Sequence, residues 1–262
     1  MKKLLYSACT AALFLSSTAT CLAADSPWNG TWKENLAKSK LTGDTFTITA
    51  KPGGAFHLDA GGQIQYDFAC DGKSYPSVAD RTLTCTGTPA AGLVFVTSIN
   101  GKVLSKSNRT FSADGKMMMI HGTTMRPDGS TADYDETYKR ETGTSGLPGK
   151  WLNVKQQQQV AGVETWTVNG SSLHIDAPTM KETIDAKLDG NDGKVVGPTV
   201  PSGAAISFKP AGANKLSYTI KLNGKPFYIG TYTLSTDGKT LTDVSWIPGR
   251  ESEKASVVWD KQ

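Results

Sequence analysis

The sequence predicts an all-β protein made of two tandem up-and-down antiparallel barrels of about eight strands each. Three observations carry that expectation. The chain repeats itself at one spacing, its apolar residues alternate with period two, and its runs are punctuated by Asn-Gly and Asp-Gly pairs.

The repeat comes first. Gly30-Thr31-Trp32 is echoed by Gly149-Lys150-Trp151, and Thr45-Phe46-Thr47-Ile48 by Thr165-Trp166-Thr167-Val168. His57-Leu58-Asp59-Ala60 returns as His174-Ile175-Asp176-Ala177, and Asn100-Gly101-Lys102 as Asn223-Gly224-Lys225. Ser112-Ala113-Asp114-Gly115-Lys116 matches Ser235-Thr236-Asp237-Gly238-Lys239, and Tyr138-Lys139-Arg140 matches Trp259-Asp260-Lys261. The matches are collinear, with offsets of 117 to 123 residues. Residues 25–141 and 149–262 therefore read as two copies of one unit. The Gly- and Ser-rich stretch 142–148 reads as the link between them, so that a cut there should leave two folding pieces.

Within a copy the alternation is clear. Leu216, Tyr218, Ile220 and Leu222 alternate with Ser217, Thr219 and Lys221, and Leu173, Ile175 and Ala177 with Ser172, His174 and Asp176. One face of such a run is dry and the other wet. Asp71-Gly72, Asn100-Gly101, Asp114-Gly115, Asp128-Gly129, Asn223-Gly224 and Asp237-Gly238 supply the positive φ that tight hairpins need.

Composition narrows the class. Hydrophobic residues are 38% and charged residues 20%, which excludes a membrane-spanning bundle, a coiled coil and a disordered charged tail. The formal charge of +4 includes Lys2 and Lys3. Residues 1–24 read as a secretory signal peptide: two lysines, a largely apolar run from Leu4 to Leu15, and small residues ending at Ala24. The mature chain then has no membrane-spanning segment and too small a charge excess to imply a nucleic-acid partner. A periplasmic or secreted location follows, with Cys21 leaving a lipid-anchored alternative. After cleavage Cys70 and Cys85 remain, an even pair in an exported chain, and they read as a disulfide rather than a metal or redox site.

These residues resemble the lipocalin-like (calycin) barrels. Such families open with G-x-W on the first strand and cover that Trp with a base from the last. The resemblance implies pairing of Trp32 with Arg140 and of Trp151 with Lys261. A narrower likeness, carried by Gly30-Thr31-Trp32-Lys33, Ala37-Lys38-Ser39-Lys40 and Cys70-Asp71-Gly72-Lys73-Ser74-Tyr75-Pro76, is to exported bacterial lipocalin-like proteins of unassigned function. It covers the first copy, and the second departs from it at Gln156–Gln159 and Asp189-Gly190.

Chemistry-bearing patterns are sparse. No G-x-S-x-G elbow, H-E-x-x-H, P-loop or helix-opening G-x-G-x-x-G is present, so no catalytic residue and no cofactor is assigned. His57 with Asp59 and His174 with Asp176 share a strand face, but their apolar neighbours claim the dry side and turn them to solvent. Met117, Met119, His121 and Met125 outline a soft-metal pattern that a Met-filled core strand explains better, so no metal is assigned. Asp133, Asp135 and Glu136 cluster near the end of copy one, with Lys139 and Arg140 at hand to neutralise them.

The remaining candidates are aromatic. Tyr228, Tyr232 and Leu234 point one way and Phe227 and Ile229 the other, so both faces of that run are apolar, as expected of a strand facing a ligand or packed twice over. Tyr218, Tyr228, Tyr232 and Trp246 are therefore the expected lining of a pocket in the second barrel. The leading function is metal-free binding of a small apolar or amphipathic molecule in a barrel interior. An envelope protein-interaction module with solid barrels is the alternative, and an isomerase or hydrolase at a barrel mouth comes last.

Overall fold

The structure, a computed structural model, describes residues 26–262; the predicted leader and Cys21 lie outside them. The protein is all-β, and each copy has ten strands rather than about eight. The first copy runs β1 (Gly30–Glu34), β2 (Thr45–Ala50), β3 (Ala55–Asp59), β4 (Gln65–Ala69), β5 (Ser74–Pro76), β6 (Arg81–Thr88), β7 (Gly92–Ile99), β8 (Lys102–Phe111), β9 (Met117–Met125) and β10 (Thr131–Thr142). The second runs β11 (Gly149–Gln158), β12 (Val163–Asn169), β13 (Ser172–Ala177), β14 (Glu182–Lys187), β15 (Asp192–Val196), β16 (Ala204–Gly212), β17 (Lys215–Leu222), β18 (Lys225–Leu234), β19 (Thr240–Trp246) and β20 (Ala255–Lys261). Among the described residues no helix is long and apolar enough to cross a membrane.

The two copies exchange their first strands. β1 pairs with β12 and β20, closing a barrel whose other strands all belong to the second copy. β11 pairs with β10 and β2 and completes the sheet of the first copy. The expected division at residues 142–148 is thereby corrected: that stretch is the loop of a β10–β11 hairpin, and the chain crosses between barrels at residues 35–44 and 159–162. The physical reason is loop closure. G-x-W strands of near-identical pattern fit either barrel, and β11 follows β10 so closely that a local hairpin costs little entropy.

The Trp–base pairs are corrected in the same way. Arg140 lies over Trp151 at 4.1 Å and Lys261 over Trp32 at 5.2 Å, so each base covers the indole that the exchange delivers to it. The indoles are fully buried, and their Nε1 groups donate to carbonyls four residues back: Trp32 to Trp28 O and Trp151 to Leu147 O. Arg140 also donates to the carbonyls of Gly115, Gly146 and Pro148, which ties the hairpin loop to the barrel end. The motif glycines are required. Gly149 has φ +143°, and a Cβ there would collide with Thr142 O.

The barrels close differently. In the second, β14 and β15 pair directly and the ring is complete. In the first the sheet ends at β4 on one side and β5 on the other, and the Cys70–Cys85 disulfide spans the seam, aided by Gly72 N donating to Cys85 O. Cross-linking residues 15 apart stabilises by about 3 kcal/mol on the chain-entropy account. The bridge stands where the ladder is missing.

A clamp holds the barrels together. Arg250 donates to Thr45 O and Oγ1 at 2.7 and 2.9 Å, while Glu253 accepts from Thr45 N and Oγ1 at 2.8 and 2.9 Å. Ser202 N, between β15 and β16, donates to Asp80 of the first barrel at 2.8 Å.

Candidate functional site

Strand β18 decides where the hollows lie. Its ladder with β17 pairs Ile220 with Tyr228 but Lys221 with Pro226, leaving Phe227 as an extra, bulged residue. A bulge re-aims side chains. Here it brings both Phe227 and Tyr228 to the wall of one cavity of about 290 Å³. That explains the two apolar faces of the run better than a strand packed on both sides.

This cavity opens at one end of the second barrel. Ile184, Val195, Ile206, Ile220 and Leu222 form its apolar wall, with Glu182 among them. Burial alone pushes the Glu182 carboxyl up. Ala79 and Arg81 of the first barrel close over it. Ala79 and Asp80 both sit at φ +58°, a left-handed conformation that costs about 1–3 kcal/mol in a residue with a Cβ. The Asp80–Ser202 bond holds this strained turn against the cavity mouth.

A second cavity, about 400 Å³, lies between the barrels. The first barrel lines it with Asp44, Glu136, Tyr138, Gln156 and Gln158; the second contributes Tyr228, Ser245 and Trp246. Burial raises the carboxyl of Asp44 and the charge of Glu253 adds to it, against the hydrogen bonds and the Arg250 guanidinium that lower it. Burial likewise raises Glu136, with Arg109 opposing and Asp44 reinforcing. Tyr138 donates to Glu136 at 3.4 Å.

Of the four expected pocket residues, Tyr228 lines both cavities and Trp246 lines the inter-barrel one, with Lys254 over its indole at 4.8 Å. Tyr218 and Tyr232 do not line either. They pack with Trp166 and Phe208 into the filled middle of the second barrel, Tyr232 lying 4.9 Å from both the Trp166 and the Tyr218 ring. Tyr218 has room there because Gly230 faces it; a Cβ at Gly230 would run into the ring. Side chains fill the centre of so narrow a barrel, and space remains only at its end.

Two carboxylates unremarked in the sequence lie half-buried against that centre. Glu164 accepts from Trp166 Nε1 at 2.9 Å, and burial, reinforced by Glu182 and Glu34, pushes its pKa up to about 7. Asp243 accepts from Tyr218 OH at 2.9 and 3.1 Å, and burial with the charge of Glu164 pushes it up to about 7. The available signal was positional. Glu164 stands two residues before Trp166 on one strand, hence on the same inward face.

The histidines settle outward, and the methionine run of β9 divides between the two faces of its strand. His57, His121 and His174 are exposed and pair across strands with Asp67, Asp135 and Asp185, at 2.7, 2.9 and 2.7 Å, rather than with same-strand neighbours. An open groove of about 680 Å³ surrounds His174 and Asp185. Met118 is fully buried beside Ile120, whereas Met119, on the face of His121, is exposed, so the core-strand expectation holds for Met118 and not for the whole run. Asp133 accepts from the Thr123 hydroxyl at 2.6 Å and, with Glu136, lines a separate hollow of about 370 Å³; of the acidic trio only Glu136 also lines the inter-barrel cavity. Arg140, engaged with Trp151, does not neutralise it.

No protein family, curated protein or solved structure matches the chain. What the site can do rests on its own chemistry, because a barrel fold does not name a ligand.

Proposed function

We propose that this is an exported, lipocalin-like binding protein that takes a small apolar or amphipathic molecule at the end of its second barrel. The supporting observation is the 290 Å³ cavity walled by Ile184, Val195, Ile206, Ile220, Leu222 and Phe227, with Tyr228 at its edge. Its volume is that of about ten water molecules, near the lower bound for ligand pockets. The occupant is therefore small, on the order of ten non-hydrogen atoms, and a single short chain suits it better than a large ring system. Two G-x-W strands, each under a base at a barrel end, support the lipocalin-like assignment. The disulfide fits an oxidising compartment and the leader fits export.

Titrating the mature protein with butanol, hexanol and octanol tests this reading. Intrinsic Trp fluorescence should change saturably, and affinity should rise with chain length until the cavity is full. Ala204 lines the cavity, so Ala204→Phe should abolish the change while far-UV circular dichroism stays the same. A linear, unsaturable response across the alcohols, unaltered in Ala204→Phe, would leave the interaction-module reading in its place.

A further inference from the structure

The inter-barrel cavity differs in chemistry from the apolar one. Its wall brings Asp44 and Glu136 together with the rings of Tyr138, Tyr228 and Trp246. Neither carboxylate has an ion pair among the described residues: the Arg250 guanidinium is taken up by Thr45 and Glu253, and Arg109, whose charge is felt at Glu136, lies over Phe95 at 3.8 Å with its Nε unpartnered. The cavity thus sets two carboxylates without an ion pair beside three aromatic rings, and a buried carboxylate is costly to leave without a cationic partner.

A bare metal ion does not fit this wall. Among the described residues no three His, Cys, Asp or Glu side chains converge, and the rings of Tyr138, Tyr228 and Trp246 share the wall. Aromatic faces beside unneutralised carboxylates suit a cation that carries both N–H donors and hydrocarbon. We propose that this cavity is a second binding site, for a small organic ammonium ion, with the ammonium at Asp44 and Glu136 and the carbon skeleton against Tyr228 and Trp246.

Isothermal titration of the mature protein at pH 8 and low salt with phenethylamine, phenethyl alcohol and 3-phenylpropionate tests the proposal. The amine should bind at least tenfold more tightly than the alcohol, and 3-phenylpropionate should give no saturable heat. Asp44→Asn and Glu136→Gln should each weaken the amine at least fivefold and leave octanol binding at the other cavity unchanged. Equal affinity for amine and alcohol, or amine binding that survives both substitutions, would each overturn it.

Discussion

Lys261 lies over the indole of Trp32, 5.2 Å away, joining the last strand of the chain to the first. The same contact joins Arg140 to Trp151 across a single hairpin. One motif thus appears once between the last strand and the first and once as a local pairing. The difference is the signature of the strand exchange.

Cleavage follows from this. A protease site inserted between Thr144 and Ser145, in the exposed hairpin loop, severs the copies without separating the barrels. The N-terminal piece still supplies β1 to the second barrel and the C-terminal piece supplies β11 to the first. The nicked protein should elute as one species in native gel filtration and separate only in denaturant. Two peaks under native conditions would mean that each copy keeps its own first strand.

The Trp–base motif shows how far the sequence could be read. Alternation and Asn-Gly turns disclosed the strands and the repeat, because period two and positive φ are local properties. Which base covers which Trp was not legible, since β1 and β11 present interchangeable patterns and only loop lengths choose between them. The cavity was half legible. Tyr228 and Phe227 stood out as apolar residues on opposite faces, but the bulge that unites them depends on register with β17, which no local pattern carries. Asp44 was hidden because it lies just outside β2, where the period-two reading does not extend.

The two motif glycines should not tolerate change equally. At Gly149 an added Cβ meets the Thr142 carbonyl, whereas at Gly30 it meets the far end of the Lys261 side chain, which can move. Both have positive φ, so each Ala substitution carries backbone strain of about 1–3 kcal/mol. Gly149→Ala should cost more than Gly30→Ala in urea unfolding, because only there must backbone shift as well. Equal losses would place the strain in φ alone.

Removing the disulfide should open the seam that hydrogen bonds do not close. Cys70→Ser with Cys85→Ser should lower unfolding free energy by about 2–5 kcal/mol. Hydrogen exchange should speed up first at β4 and β5, while the second barrel, sealed by β14–β15 pairing, keeps its protection. Uniform acceleration across both barrels would show that the bridge acts globally and not at the seam.

The two half-buried carboxylates set a pH dependence. Glu164 and Asp243 are pushed up to about 7 in the folded protein, against roughly 4 in an unfolded chain. Between those values the folded state binds more protons than the unfolded one, so stability falls as pH rises. The sign is opposite to that of a salt-bridged carboxylate. The loss begins above about pH 4 and is complete somewhat above pH 7, with a slope of at most about 1.4 kcal/mol per pH unit for each group. Asp243→Asn keeps the shape, and an amide can still accept from the Tyr218 hydroxyl, yet it carries no charge to bury. Urea unfolding of this variant should therefore show a shallower decline from pH 4.5 to 7.5 and a gain over the unsubstituted protein that is larger at pH 8 than at pH 4.5. A gain independent of pH would mean that Asp243 titrates no differently in the folded and unfolded chains.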